Sequence, residues 1–520
     1  MSFPSKRNTA FTLVVMCNAL ALSAVDLARK RGHLFSSLPL FVTFDGGLSP
    51  SKIAAAASTV APRETFVWGA SPGNLRAWQA AAPHASLSFY MPYSRAPAAS
   101  MGFDLAFFQA HHPDWVLYGC DRTTVAFWDG QTAKSGSVPL DFTNPAVVEW
   151  QMRNQSVPAR SLGYDAMAFD NFGGGARQGA NSGRACGVWV EAGEGAGGDG
   201  AGEEAEEKTE EETEEETEAG KKRTAKSGSH STHNINRSRN RSHSRSRSGR
   251  VWSYRFNQSS STFDTSQGNA FREVSVEWLE RASKLMKVLV PGMGIVPNQA
   301  IGPSGWGRGP LGARVAAAST GMLSERGFTG WANGPVTETE LLDEYAWMAA
   351  LEKQNTSYYS INEVPGNMVS DAWAEWVIGA FLVGAQPHSS LWLGLIQGYG
   401  GFSYSHPGLG VPVGTPLGAN FTVVEPCNAS LGARDELGVR LPRNASSLRV
   451  EAGPGPGPGL GLGNLLLRNY TNGIALVNPT LSSHHVDVGA GRAFHSLTGH
   501  ATAGGVIEMG AQSALVLVYA

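Results

Sequence analysis

Two carboxylates in this 520-residue sequence stand at the ends of apolar, β-prone segments. Asp170 lies near the end of "GYDAMAFDNF" (163–172), and Glu325 ends "GMLSE" (321–325). A buried strand usually ends in Gly, Pro or a solvated turn, so an acid there either caps a helix or is a functional group. Three glycines at 173–175 argue against a helix directly after Asp170. Glu325 fits a solvated loop acid equally well.

A pair of opposed carboxylates, with no metal, flavin or phosphate motif nearby, is typical of glycoside hydrolysis. One carboxyl group protonates the leaving oxygen, while the other attacks the anomeric carbon or activates a water molecule. We predict that Asp170 and Glu325 form this catalytic pair without a metal or organic cofactor, and that the substrate is a polysaccharide or glycan. The alternative is a catalytically silent carbohydrate-binding protein, which would keep the same aromatic residues.

Other polar and aromatic residues near predicted strand ends are candidates for contacts with sugar. Several have a structural alternative: Asp45 in "TFDGG" suits a turn, and Asp141 in "PLDFTNP" suits a cap for the helix that begins at Pro145. Asparagine is common at loop starts, and most tryptophans belong to the core. The predicted substrate-binding residues are Asp45, Tyr93, Asp141, Asn171, Asn298, Trp331 and Asn362. Aromatic residues that can stack on sugar rings are Trp68, Tyr90, Trp115, Trp128, Trp331 and Tyr399.

The elements that must position these residues alternate along residues 38–411. Eight short apolar runs, from "LFVTFD" (40–45) to "SLWLG" (390–394), are separated by segments with apolar residues at three- and four-residue intervals. This alternation predicts an α/β fold, a (β/α)₈ TIM barrel. Catalytic groups of such barrels come from the C-terminal ends of strands, because the strand interiors are filled by packing.

The rest of the chain has a different composition. Residues 412–520 combine a Gly/Pro-rich stretch with short β-type runs at hairpin spacing, which predicts a small C-terminal β-sandwich. Residues 191–250 consist of a Glu-rich run and an Arg/Ser run. Such a segment cannot bury enough apolar surface to fold, so we predict a disordered insert. With a net charge of −3, the chain gives no bulk reason to expect nucleic acid as a partner.

The N-terminal residues resemble a secretory signal. Lys6 and Arg7 precede an apolar run that closes on small residues, which predicts a signal peptide over residues 1–24 and no stable membrane span after cleavage. An organellar transit peptide is the alternative. Asn-x-Ser/Thr sequons support secretion and stand at Asn154, Asn257, Asn355, Asn420, Asn428, Asn444 and Asn469. The cysteines outside the signal can form at most one disulfide, and they are Cys120, Cys186 and Cys427.

Several ordered motifs resemble one family. "HPDWVLYGCDRTTVAFWDG", "VPLDFTNPAVVEWQ", "GYDAMAFDNF", "LSERGFTG" and "RNYTNGIALVNPT" are similar to the glycosyl hydrolase-like family 15, a TIM-barrel group related in pattern to α-galactosidase-like and endo-galactosaminidase barrels. The resemblance covers most of residues 40–520 except the insert. In related barrels the acid that ends strand four is the nucleophile and the acid that ends strand six donates a proton. The resemblance therefore implies these roles for Asp170 and Glu325.

Overall fold

The structure is a computed structural model. It describes residues 38–43, 45, 48–60, 66–97, 103–119, 121–126, 137–172, 187–191, 250–254, 265–299, 310–330, 333–364, 370–395, 406–418, 420–424, 464–488 and 493–520. The predicted signal peptide, the three cysteines outside it and residues 192–249 of the predicted insert lie outside the described residues. The predicted boundary residues Glu191 and Arg250 are described, and both belong to strands.

Strands and helices alternate from the start of the described residues to residue 395. The strands are β1 Val42–Thr43, β2 Phe66–Trp68, β3 Ser86–Pro92, β4 Arg95–Pro97, β5 Ser137–Pro139, β6 Ala166–Phe172, β7 Gly187–Glu191, β8 Arg250–Tyr254, β9 Gly294–Gln299, β10 Gly321–Ser324, β11 Ser357–Val364 and β12 Ser389–Leu395. The helices are α1 Pro50–Val60, α2 Leu75–Ala81, α3 Leu105–His111, α4 Pro145–Gln151, α5 Val157–Leu162, α6 Thr265–Leu289, α7 Pro310–Ala318, α8 Glu338–Glu352 and α9 Asp371–Gly384. A π-helical segment, Met152–Ser156, joins α4 to α5.

Local sequence explains where two of the helices begin. Helix α4 begins at Pro145 as predicted, and the Asn144 side chain caps it by accepting a hydrogen bond from the Ala146 amide. Helix α8 begins with a capping box, in which Thr337 and Glu340 satisfy each other's backbone amides.

Eight strands form one sheet, in the order β1-β2-β3-β6-β9-β10-β11-β12. Every pairing between neighbouring strands in this order is parallel. The two edges also meet, because the Phe41 amide donates to the Leu391 carbonyl (3.1 Å) and the Leu391 amide donates to the Pro39 carbonyl (2.9 Å). The predicted α/β class with a parallel eight-stranded barrel is confirmed.

The inside of the barrel is filled by apolar side chains, which we call the interior cluster. It consists of Phe41, Phe66, Trp68, Ala166, Ala168, Val296, Leu323, Ile361 and Trp392, with Tyr90 and Tyr359 packed against it. These residues lie in, or directly next to, all eight strands of the sheet, as expected for strands whose alternate residues point inward. A larger cluster of buried residues lies between the strands and the surrounding helices.

The described part of the C-terminal region is all β, as predicted. Its strands are β13 Thr422–Val424, β14 Leu465–Tyr470, β15 Gly473–Asn478, β16 His484–Asp487, β17 Ala493–His495, β18 Ala501–Ala503, β19 Val506–Met509 and β20 Ser513–Tyr519. They form a six-stranded sheet and the separate pair β16–β19, and residues of both share one apolar cluster. The sandwich arrangement stays a prediction.

The C-terminal sheet packs against helix α9 of the barrel. The Tyr470 hydroxyl donates to the Leu382 carbonyl (2.6 Å), and the buried Arg468 guanidinium donates to the Val383 carbonyl (3.2 Å). A Cβ added at Gly379 would lie 2.5 Å from the Ala514 Cβ, so glycine permits this close approach. The C-terminal sheet therefore packs directly on a barrel helix.

Candidate active site

Three polar residues at the C-terminal ends of barrel strands point inward, like the apolar residues before them. Asp170, Asn298 and Glu325 each stand two residues after a member of the interior cluster. Alternate residues of a strand share one face, so these side chains form the next layer above the apolar filling. Asp170 and Glu325 are partly exposed, whereas Asn298 is only 1% exposed. The layer is therefore the mouth of the barrel, and solvent reaches its two acids.

The Asn298 amide joins the two acids. Its Nδ2 donates to Asp170 Oδ1 at 2.8 Å and to Glu325 Oε2 at 3.2 Å. Strands β6, β9 and β10 are consecutive in the sheet, so the residue between the two acids comes from the strand between theirs. The structure thus brings together the two predicted catalytic residues and one predicted substrate-binding residue.

Tyr90 supplies the second donor to Asp170. Its hydroxyl donates to Asp170 Oδ2 at 2.5 Å, so each oxygen of this carboxylate accepts a hydrogen bond from a side chain. The Tyr90 ring contacts Trp68 edge-on, with centroids 5.5 Å apart, and the Trp68 indole donates to the Val296 carbonyl at 3.2 Å. From the sequence, Tyr90 is expected only to stack on a sugar ring. Alternation along β3 could have placed its hydroxyl among the inward polar groups.

The loop that carries Glu325 is fixed on strand β11 and helix α9. The Phe328 amide donates to Asn362 Oδ1 at 2.7 Å, and the Trp376 indole donates to the Phe328 carbonyl at 2.8 Å. Gly327 has φ +46°, and a Cβ there would lie 2.1 Å from the Ile361 carbonyl oxygen. Glycine is therefore required for the loop to lie this close to β11.

Asn362 makes its contacts within the protein. Its side chain is fully buried, its Oδ1 anchors Phe328, and its Nδ2 donates to the Ser360 and Trp392 carbonyls. It stands one residue away from the inward-facing Ile361, so strand alternation turns it outward, away from the barrel mouth. Its contacts hold the Glu325 loop, and the contact with sugar stays a prediction.

The side chain of Asp45 is occupied by contacts with the protein. It is fully buried, Oδ1 accepts from the Ser71 amide at 2.7 Å, and Oδ2 accepts from the Trp78 indole at 2.9 Å. Both oxygens therefore bind parts of the loop and helix that follow β2. These contacts give Asp45 a structural role, and its contact with sugar stays a prediction.

Tyr93 lies in the core. It is fully buried against Phe142, Phe172 and Trp278, and its hydroxyl lies 3.1 Å from the Ser275 Oγ of helix α6. Burial raises the pKa of Tyr93, and the hydrogen bond with Ser275 opposes that rise only in part. These contacts make Tyr93 a link between barrel and helix, and its role in substrate binding stays a prediction.

Three predicted substrate-binding residues remain. Asp141 is fully buried and accepts from the Thr143 amide (3.1 Å) and hydroxyl (2.5 Å), while the cap of α4 is Asn144. This local turn replaces the alternative of a helix cap. The backbone of Asn171 belongs to β6, but its side chain is outside the described part of the chain, as is all of Trp331.

Neither a metal-binding group of side chains nor a membrane-spanning helix is found in the described part of the chain. The described residues include no group of three or more His, Cys, Asp or Glu side chains placed to hold a metal ion. Within the same residues, no helix combines the length and apolarity needed to cross a membrane.

Comparison with known proteins gives similarity only in structure. No protein-family model matches the chain, and no curated protein sequence matches it. The α-galactosidase AgaA from Geobacillus stearothermophilus aligns at 8% identity and a TM-score of 0.35 over 94% of this chain, which spans 57% of that one. The maltogenic α-amylase AmyB from Thermotoga neapolitana aligns at 10% identity and a TM-score of 0.42, over 94% of this chain and 100% of the other.

A third structure differs in how much of this chain it covers. The glycoside hydrolase domain of PelA from Pseudomonas aeruginosa aligns at 9% identity and a TM-score of 0.33, over 72% of this chain and 97% of that domain. Similarity at this level is too low to transfer an activity, and the resemblance to glycosyl hydrolase-like family 15 stays a prediction. The chemistry of the site must be argued from its own residues.

Proposed function

We propose that the protein is a retaining glycoside hydrolase, with Asp170 as the nucleophile and Glu325 as the acid and base. The observation that carries this proposal is the Asn298 bridge. One nitrogen lies 2.8 Å from Asp170 Oδ1 and 3.2 Å from Glu325 Oε2, so these oxygens are separated by at most the sum of the two distances, about 6 Å. Retaining enzymes separate the two carboxyl groups by about 5–5.5 Å, and inverting enzymes by about 6.5–9.5 Å.

The proposed reaction has two steps. First, an Asp170 oxygen attacks the anomeric carbon, the Glu325 carboxyl group gives its proton to the glycosidic oxygen, and the bond between that carbon and oxygen breaks. Second, the Glu325 carboxylate takes a proton from water, and the water oxygen displaces Asp170 from the anomeric carbon. Both acids then return to their starting states, and the sugar keeps its configuration.

The hydrogen bonds of the mouth suit these roles. An ionised carboxylate only accepts hydrogen bonds, and Asp170 accepts one on each oxygen, from Tyr90 and Asn298. Glu325 accepts the Asn298 bond through Oε2, an arrangement that is possible whether or not its other oxygen carries a proton. The same amide therefore serves both protonation states of Glu325 during the two steps.

The test is a screen of purified protein against aryl glycosides and polysaccharides, with the product anomer followed by NMR. With an active substrate, added azide should restore turnover of Asp170→Gly and give a glycosyl azide of inverted configuration. It should also restore turnover of Glu325→Ala, but with a glycosyl azide of retained configuration as the product. The control is Asp165→Asn, because Asp165 precedes β6 at the other end of the same strand, where its Oδ2 accepts from the Leu87 amide. This control should leave turnover unchanged.

Two outcomes would contradict the proposal. Inverted configuration of the first product would exclude Asp170 as a nucleophile. If glycans bind but no glycoside is hydrolysed, the alternative of a silent carbohydrate-binding barrel replaces the enzyme.

A further inference from the structure

Two glutamates of helix α8 hold the chain on both sides of Glu325. Glu340 and Glu344 are four residues apart and so share one helix face. Arg326, directly after Glu325, donates through Nη2 to Glu340 Oε1. Ser324, directly before Glu325, lies close to the carboxylate of Glu344 and favours its charged form. One helix face therefore contacts both chain neighbours of the proposed acid.

Glu340 is itself held in place by the start of its helix. Its Oε2 accepts from the Thr337 amide and hydroxyl, both at 2.9 Å, while Oε1 binds Arg326. Burial disfavours the charged form of Glu340, but the Thr337 hydrogen bonds and the Arg326 charge outweigh it and lower the pKa. Glu340 is therefore a lasting negative charge beside Arg326.

Glu344 lies deeper, with 2% of its surface exposed, and accepts a hydrogen bond from the Tyr358 hydroxyl of β11. Burial raises the pKa of Glu344 to about 7. The hydrogen bond from Tyr358, the nearby Ser324 and the charge of Arg326 oppose that rise, while the charge of Asp343 on the same helix adds to it. Protonation would turn one acceptor oxygen into a donor and so change the contact with Ser324.

We infer that Glu340 and Glu344 are positioning residues for Glu325. Glu340 fixes the Glu325 peptide through the bond to Arg326, and the protonation of Glu344 beside Ser324 changes its placement. This inference rests on the proposed function, because it assigns the helix face a role in proton transfer by Glu325. Displacement of a catalytic group by about 1 Å can cost about 100-fold in rate, so a fixed peptide matters for turnover.

The test compares Glu340→Gln and Glu344→Gln with the parent in the full chain. In both variants we expect kcat to fall about 10- to 100-fold with little change in KM, because the acid is misplaced while the sugar still binds. The parent pH–rate profile should have a limb near neutral pH that Glu344→Gln lacks. Amide hydrogen exchange over residues 321–330 should be faster in both variants.

The control is Glu352→Gln on the same helix. Glu352 binds His388 at 2.9 Å, and its change should alter neither kcat nor exchange over residues 321–330. Glu340→Asp, which keeps the charge, should retain part of the kcat that Glu340→Gln loses.

Parent-like kcat, pH profile and exchange in both variants would overturn the inference. If Glu344→Gln does not fold, a double-mutant cycle between Glu340→Gln and Arg326→Gln decides, and additive effects on kcat count against positioning. If the parent hydrolyses no glycoside, the proposed function fails. Amide hydrogen exchange over residues 321–330 in the two variants then tests whether the glutamates hold the Glu325 peptide.

Discussion

Asp45 follows barrel strand β1 and Asp170 lies near the C-terminal end of β6, yet their surroundings differ. Asp45 is fully buried, and its oxygens accept from the Ser71 amide and the Trp78 indole. Asp170 is partly exposed, and its oxygens accept from the side chains of Tyr90 and Asn298. The partners of Asp45 belong to the loop and helix that follow β2, whereas those of Asp170 come from neighbouring barrel strands. We therefore expect Asp45 to serve folding and Asp170 to serve the proposed chemistry.

The largest expected effect is on turnover by Asp170→Asn. The amide is a poor nucleophile, so kcat should fall by about 10⁴-fold or more while the melting temperature stays near that of the parent. Turnover of an aryl glycoside and thermal unfolding by circular dichroism measure the two quantities. A variant that is both inactive and unfolded would place Asp170 in the same class as Asp45.

Asp45→Asn should show the reverse pattern. The substitution replaces a carboxylate that accepts two hydrogen bonds with an amide, whose NH₂ group must then face the Ser71 amide or the Trp78 indole, both of which are donors. The free energy of unfolding should therefore fall by about 2–4 kcal/mol. Turnover per folded molecule should not change. Urea unfolding gives the first quantity, and active-site titration gives the second. A fall in turnover of the folded variant comparable with that of Asp170→Asn would break the comparison.

Asn298→Ala tests the residue that joins the two acids. Without the bridge the carboxylates are no longer held together, and we expect kcat to fall about 100-fold with the configuration of the product unchanged. Asn298→Asp is the sharper variant, because a third acid placed between the two should also move the pH–rate profile. The kcat of Asn298→Ala and the pH–rate profile of Asn298→Asp are measured on the aryl glycoside found in the screen. A kcat like that of the parent in Asn298→Ala would show that the Asn298 hydrogen bonds are not needed for turnover.

Glu344 gives an effect on stability that depends on pH. Burial raises its pKa from 4.5 to about 7, so the folded chain keeps a proton that the unfolded chain has already lost in this range. The free energy of unfolding should therefore fall as pH rises from 4.5 to about 7, by up to about 1.4 kcal/mol per pH unit from this group. Glu344→Gln has no carboxyl group at this position and should lack this part of the pH dependence. Urea unfolding of both proteins at three pH values checks the difference, and equal slopes would contradict it.

The smallest effect is expected from replacing residues 192–249 with Asn-Gly. Strands β7 and β8 pair antiparallel from Gly187 to Glu191, with Trp189 and Trp252 edge-on at 5.3 Å and Arg250 paired with Glu191 at 2.9 Å. The two ends of the segment are thus already side by side, and a two-residue turn can join them. The free energy of unfolding should change by less than about 1 kcal/mol. Loss of folding would show that the segment belongs to the fold.

Much of the fold follows from local patterns in the sequence. Apolar runs such as "DAMAFDN" alternate with helical segments, and alternation within each run fixes which side chains face the barrel interior. The positions of Asp170 and Glu325 at the ends of their strands could be predicted for the same reason. So could the start of α4 at Pro145 and the β character of the C-terminal region.

Contacts between distant residues were decided only by the tertiary structure. Asn298 lies 128 residues from Asp170 along the chain, and Tyr93 meets a helix residue, Ser275, that is 182 residues away. Alternation and the packing of the Glu325 loop bury the Asn362 side chain outside the mouth. A local pattern determines that a strand forms and which way its side chains point. The groups that meet those side chains come from strands and helices that the closed barrel brings together, so sequence alone determined where the acids stand and the fold determined their partners.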